Sequence, residues 1–132
     1  MRVFLDTNVL VSAFAARGLC SDLFELVLLD HELILSASVL RELSKALQQK
    51  VKLPPRDSAA IVAFLTDEAT EIVATSNPAS ADVDDDDAIV LGDALAGHAH
   101  VFITGDAKVL RLGECAELRI ASPRTFWEML HT

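Results

Sequence analysis

The stretch DVDDDDAIVLGDALAGHAHVFITGDAKVL, residues 82–110, decides how this chain is read. It opens on an acidic run ending at Asp87, then passes into Ala88–Ala96, which is apolar nearly all round. Such a segment predicts a helix buried against a sheet, and Gly97 closes it. Val101–Thr104 follows as a short strand-forming run, and Gly105-Asp106 turns it into a short helix carrying Lys108, Leu110 and Arg111. The start of the chain has the same order of parts: Arg2–Leu5 reads as a buried strand and ends on Asp6.

Working outward, Glu32–Leu35, Glu71–Val73 and Leu118–Ala121 read as further strands. Val9–Ala16 starts a helix, and Leu23–Leu29 is helical behind a Ser21 cap. Val39–Gln49 carries one apolar stripe behind Ser38, and Asp57 caps a helix through Leu65. Ser122-Pro123 opens the last helix as an N-cap and first-position pair. Alternating strands and helices predict a parallel sheet flanked by helices, here as one domain, 1–132. Right-handed crossovers place ligands beyond the carboxyl ends of the strands, where the winding reverses. Asp6 and Asp106 then face each other at that point, and Glu42 and Asp87 reach it from the helices after strands two and three.

Composition sets the limits. With 132 residues and 52% hydrophobic content, the chain can bury a full core. Six Phe, one Trp and no Tyr make that core aliphatic. Two cysteines, Cys20 and Cys115, fit a reduced cytoplasmic protein rather than a disulfide scaffold. The opening MRVFLDTNVLVSAFA has a signal peptide's charge and apolar content, but Asp6 and Asn8 cut the apolar run, so it reads as strand and helix. Nothing approaches membrane-spanning length. A net charge of −9 argues against general nucleic-acid affinity, which needs clustered Lys and Arg.

Each acid has an ordinary explanation. Asp6 and Asp106 suit turns and helix caps, Glu42 is a common helix residue, and Asp caps helices well. One cap needs one Asp, however, and the run Asp84–Asp87 repels itself unless a cation sits within it. Four acids at one sheet edge point to a divalent cation and chemistry on phosphate esters. Asp87 directly precedes the apolar helix and is expected to face inward, with Asp86 the other candidate. Asp93 is expected at an exposed helix position rather than in the site. His31, His98, His100 and His131 show no metal-ligand spacing, and carboxylate-only ligation suits Mg²⁺ or Mn²⁺.

The order LDTNVLVSA, LSASVLRELSKAL, DVDDDDAIVLGDALAGHAHVFITGDAKVL and LRIASPRTFWEML resembles a PIN domain, in particular bacterial toxin–antitoxin PIN proteins of the VapC-like kind. The resemblance spans essentially the whole chain, with the DTN triplet and the Asp84–Asp106 block its most specific parts. It implies a Rossmann-like α/β/α fold with a five-stranded parallel sheet in order 3-2-1-4-5. It implies a Mg²⁺- or Mn²⁺-dependent ribonuclease acting on single-stranded RNA, the toxin of a pair with an antitoxin protein, as a homodimer. The family acids fall on Asp6, Glu42, Asp87 and Asp106, and its orienting polar neighbours on Asn8 and Thr104. Asp85 stands where the family carries Pro, which leaves Asp86 and Asp87 both open as the ligand. Arg17, Lys45, Lys108 and Arg111 are the cations expected near the substrate.

Two other readings stay open: a PIN fold that only binds a partner protein, and a metal nuclease acting on DNA or structured RNA. An aspartyl-phosphate phosphatase is disfavoured, because it needs Asp where Asn8 stands. A receiver domain needs an acidic pair at the first strand, which is missing.

Overall fold

The computed structural model describes every residue, 1–132. Its elements run β1 (Arg2–Leu5), α1 (Thr7–Ala15), α2 (Leu19–Asp30), β2 (Glu32–Ser36), α3 (Ala37–Gln49), α4 (Pro55–Glu68), β3 (Glu71–Val73) and α5 (Asp85–Ala96). They continue as β4 (Val101–Ile103), α6 (Ala107–Leu110), β5 (Glu114–Cys115), β6 (Leu118–Ala121) and α7 (Pro123–Leu130). The sheet order is β3-β2-β1-β4-β6-β5. The expected five parallel strands are β3, β2, β1, β4 and β6. A short β5, which the sequence reading did not anticipate, adds an antiparallel edge beside β6. No helix is long and apolar enough to cross a membrane.

The two central strands, β1 and β4, are buried on both faces. Val3, Phe4 and Leu5 of β1 and Val101, Phe102 and Ile103 of β4 are at most 1% exposed, so neither strand alternates polar with apolar residues. Phe4 and Phe102 stack at 5.5 Å between ring centres across the β1–β4 pair. From β1 the chain winds outward through β2 to β3, then returns past β1 to β4, so the winding reverses between β1 and β4. Right-handed crossovers put α1–α4 on one face of the sheet and α5 on the other. In register, Leu5 pairs with Ile103, and the Asp6 amide donates to the Ile103 carbonyl at 2.9 Å. Asp6 therefore emerges beside Thr104.

Several helix starts differ from expectation, for local reasons. Ser36, not Ser38, caps α3, its hydroxyl accepting from the Val39 amide at 3.3 Å. Ser21 lies inside α2, where its hydroxyl accepts from the Gly18 amide at the true helix start. Pro54 precedes α4 and Pro55 takes its first position, so Asp57 sits in the first turn rather than at the cap. At the amino edge of the sheet, Arg2 donates to Glu32, Glu71 and the Gly97 carbonyl, tying β1, β2, β3 and the end of α5 together.

The loop between β3 and α5 lies directly on α5. The Ala79 amide donates to the Ala88 carbonyl at 2.8 Å, and a Cβ added to Gly92 would stand 2.0 Å from the Asn77 carbonyl oxygen. Gly92→Ala must push this loop away, and overpacking of this kind costs roughly 1–3 kcal/mol. Urea unfolding should show a midpoint clearly below wild type; an unchanged midpoint would mean that the loop yields freely.

Candidate active site

The site begins with the DTN triplet, in which every residue has a partner. Asp6 caps α1: one carboxylate oxygen accepts from the Thr7 amide at 2.8 Å, the other from the Thr104 hydroxyl at 2.8 Å. The Thr7 hydroxyl donates to Glu42 Oε2 at 3.0 Å, linking the start of α1 to α3. The Asn8 side chain accepts from the Gly105 amide at 3.1 Å and so holds the turn after β4. Thr104 is fully buried; its hydroxyl donates to Asp6 and accepts from the Asp106 amide at 3.1 Å. Asp106 caps α6 through the Lys108 amide at 2.8 Å.

Asp6, Glu42, Asp87 and Asp106 line one open cleft of about 410 Å³, together with Thr7, Asn8 and Ser12. Asp87 is half-buried and faces this cleft, whereas Asp86 is exposed and stays outside it. Position along α5 decides between them, since one residue rotates a side chain by about 100°. The acids are gathered on the cleft walls but do not form a ready-made cage: no three His, Cys, Asp or Glu side chains stand close enough together to hold an ion. Asp6, Glu42 and Asp106 each accept from a donor of their own, the Thr104 hydroxyl, the Thr7 hydroxyl and the Lys108 amide. The donor set is all oxygen and anionic, which suits a hard divalent cation.

The cations lie differently from expectation. Lys50 is the basic residue on the acid cleft. Lys108 and Arg111 line a neighbouring depression with Asp82 and Asp84, and Lys108 approaches Asp84 to 3.8 Å. Arg17, in the α1–α2 turn, and Lys45 line neither cavity. Lys50 was legible in principle, because Glu42, Ala46 and Lys50 follow at four-residue steps and share one helix face.

Asp93 overturns the expectation of exposure. It is 3% exposed, and its two carboxylate oxygens accept from the Ser38 and Ser76 hydroxyls, each at 2.6 Å. The hydroxyls replace water, and that makes the burial tolerable. A single polar residue inside an apolar helix was the available signal.

Burial pushes the Asp6 carboxyl up from 3.8 to about 6; the Thr104 hydroxyl and Thr7 amide oppose the rise, and the charges of Glu42 and Asp87 add to it. Burial, followed by the charges of Asp106, Asp84, Asp86 and Glu42, also raises Asp87. A carboxyl with a raised folded pKa holds its proton more tightly folded than unfolded, so its ionisation works against the fold. Its contribution is most favourable below 3.8 and is lost as pH rises from there through about 6. In chelator, Asp6→Asn should therefore melt above wild type at pH 7, by roughly 2–5 °C for about 1 kcal/mol. The gap should close by pH 4. Equal melting at both pH values would show that Asp6 carries no such strain.

A family model described as "PIN domain" matches residues 2–108. No curated protein matches the chain. Among solved structures, VapBC2 from Rickettsia felis, bound to a DNA fragment from its promoter, is similar with a TM-score of 0.67 at 16% identity, over 92% of this chain and 98% of that one. VapBC-1 from nontypeable Haemophilus influenzae is similar with a TM-score of 0.64 at 18% identity, over 94% of this chain and 99% of that one. At such identities the structures speak for the fold, but the family match spans most of the chain, from β1 to the first turn of α6, and the chain belongs to the PIN domain family.

Proposed function

We propose that this protein is a metal-dependent endoribonuclease that hydrolyses phosphodiester bonds in single-stranded RNA, the toxin of a toxin–antitoxin pair in the cytoplasm. One observation carries the reading: four carboxylates from four separate segments share one cleft at the point where the sheet reverses its winding. Burial first, and neighbouring negative charge second, raise the Asp6 and Asp87 carboxyls, so ionising them works against the fold. Sites that keep such strain are candidates for chemistry.

Asp6, Glu42, Asp87 and Asp106 would hold Mg²⁺ or Mn²⁺. Such an ion lowers the pKa of a bound water and neutralises charge developing on the phosphate. Thr104 and the Thr7 amide aim the Asp6 carboxylate into the cleft, and Thr7 does the same for Glu42. Asn8 holds the turn that presents Asp106. Lys50 lines the same cleft and would grip a phosphate of the strand, and Lys108 and Arg111, on the neighbouring depression, would make a second contact. With few cations and a net charge of −9, RNA binding should be weak and only modestly salt-dependent. A cognate antitoxin is the proposed partner, supported by the VapBC identity of both structural neighbours. A homodimer is the proposed working state.

A labelled RNA panel incubated with Mn²⁺ tests the activity. Wild type should cleave single-stranded RNA; Asp6→Asn, Asp106→Asn and added EDTA should each abolish cleavage, with the variants still folded. Wild-type activity in Asp6→Asn would refute the catalytic reading, and cleavage of the matching DNA alone would move the substrate. Lys50→Ala should weaken RNA binding several-fold and flatten the logarithmic salt dependence by about one, with kcat changed less than KM.

A further inference from the structure

Asp93 is a buried carboxylate that none of the chemistry above uses. It sits in α5, whose other inward positions are apolar, and a Leu or Ala there would spare the cost of burying a charge. What it does instead is join three segments. One oxygen takes the Ser38 hydroxyl at the start of α3, and the other takes the Ser76 hydroxyl in the loop between β3 and α5. Ser38 in turn lies 3.1 Å from Ser36, the α3 cap, so the carboxylate ends a hydroxyl chain at the positive end of that helix.

The joined segments are the ones that carry two of the site acids. Ser38 stands one turn before Glu42 in α3, and Asp93 lies in the same rigid helix as Asp87. The two helices lie on opposite faces of the sheet, and Ser38–Asp93 is the only side-chain hydrogen bond between them. Glu42 and Asp87 make no hydrogen bond to each other, and the Thr7 hydroxyl on the cleft ties Glu42 to α1 rather than to α5. Ser76 ties down the loop that leads into the acidic run, alongside the Ala79–Ala88 backbone contact.

We propose that Asp93 is a positioning residue: clamped between Ser38 and Ser76, it sets the spacing of Glu42 and Asp87 across the carboxyl edge of the sheet and so the cation affinity of the cleft. The cation part rests on the ligand reading of the four acids; the spacing part does not. Asparagine can replace the carboxylate without moving the helices. Its oxygen accepts from Ser76 and its amide donates to Ser38, whose own proton turns to Ser36.

Two measurements on the full chain test this, with Leu65→Ala as a control for general destabilisation, since Leu65 is fully buried in α4 and lines no part of the cleft. The first is Mn²⁺ binding, followed by electron paramagnetic resonance at a temperature where every variant is folded. Asp93→Ala should bind about tenfold more weakly, the scale seen when supporting partners of metal ligands are removed. Asp93→Asn and Leu65→Ala should stay within about twofold of wild type on that scale. The second is the distance distribution between spin labels at Lys45 and Ile89, with Cys20 and Cys115 replaced, in metal-free protein. It should broaden or shift in Asp93→Ala and stay narrow in Asp93→Asn and Leu65→Ala. An unaltered distribution in Asp93→Ala overturns the positioning role outright. A broadened distribution with unaltered Mn²⁺ affinity overturns its link to the cation. No Mn²⁺ binding by wild type would remove the ligand reading and that link together, leaving the label distances to decide whether Asp93 spaces the helices.

Discussion

The parallel pairing of β1 with β4 is the constraint on which the rest of the site depends. These strands come from opposite halves of the chain, and their register, Leu5 against Ile103, sets Asp6 beside Thr104. A slip by one residue would move every β1 side chain to the opposite buried face, forcing both layers to repack, and would separate the Asp6 carboxylate from the Thr104 hydroxyl. The Phe4–Phe102 stack makes such a slip costly. Core packing and the placement of Asp6 beside Thr104 are therefore specified by the same residues.

Charge is distributed unequally along the strands. At the amino edge the acids are paired: Arg2 sits between Glu32 and Glu71 and satisfies the last turn of α5 through the Gly97 carbonyl. The carboxyl edge concentrates Asp6, Glu42, Asp87 and Asp106 around one cleft with only Lys50 among them. Burial, and after it the neighbouring charges, raise the Asp6 and Asp87 carboxyls, so their ionisation at neutral pH works against the fold. The surrounding core, with Phe4, Leu5, Phe102 and Ile103 essentially unexposed, supplies the stability that lets the fold carry this strain.

Local chemistry was easiest to read where one residue type had one strong role. The Ser122-Pro123 start of α7, the strand runs ending at Asp6 and Thr104, and the Gly97 stop after α5 all follow from near neighbours in the chain. Near neighbours do not decide the outcome where two similar residues compete for one role. Ser36 and Ser38 are both acceptable caps; β2 extends through Ser36, whose hydroxyl takes the α3 amide, and that leaves Ser38 free for Asp93. Lys50 lines the cleft where Arg17, Lys108 and Arg111 do not, because reach toward it depends on which helix face looks into it.

The amino-acid order by itself determined the alternation of strands and helices, the parallel sheet with its reversal point, and the identity of the acids placed at strand ends. Those properties follow from periodicity, caps and turn residues within a few positions of one another. Tertiary structure alone decided that Asp87 rather than Asp86 faces the cleft, that Lys50 is its cation, and that Asp93 is buried between two serines far away in sequence. Each of these turns on the rotation of a helix about its axis once it has packed on the sheet. That rotation is set by many distant apolar contacts acting together, and no short window of sequence contains them.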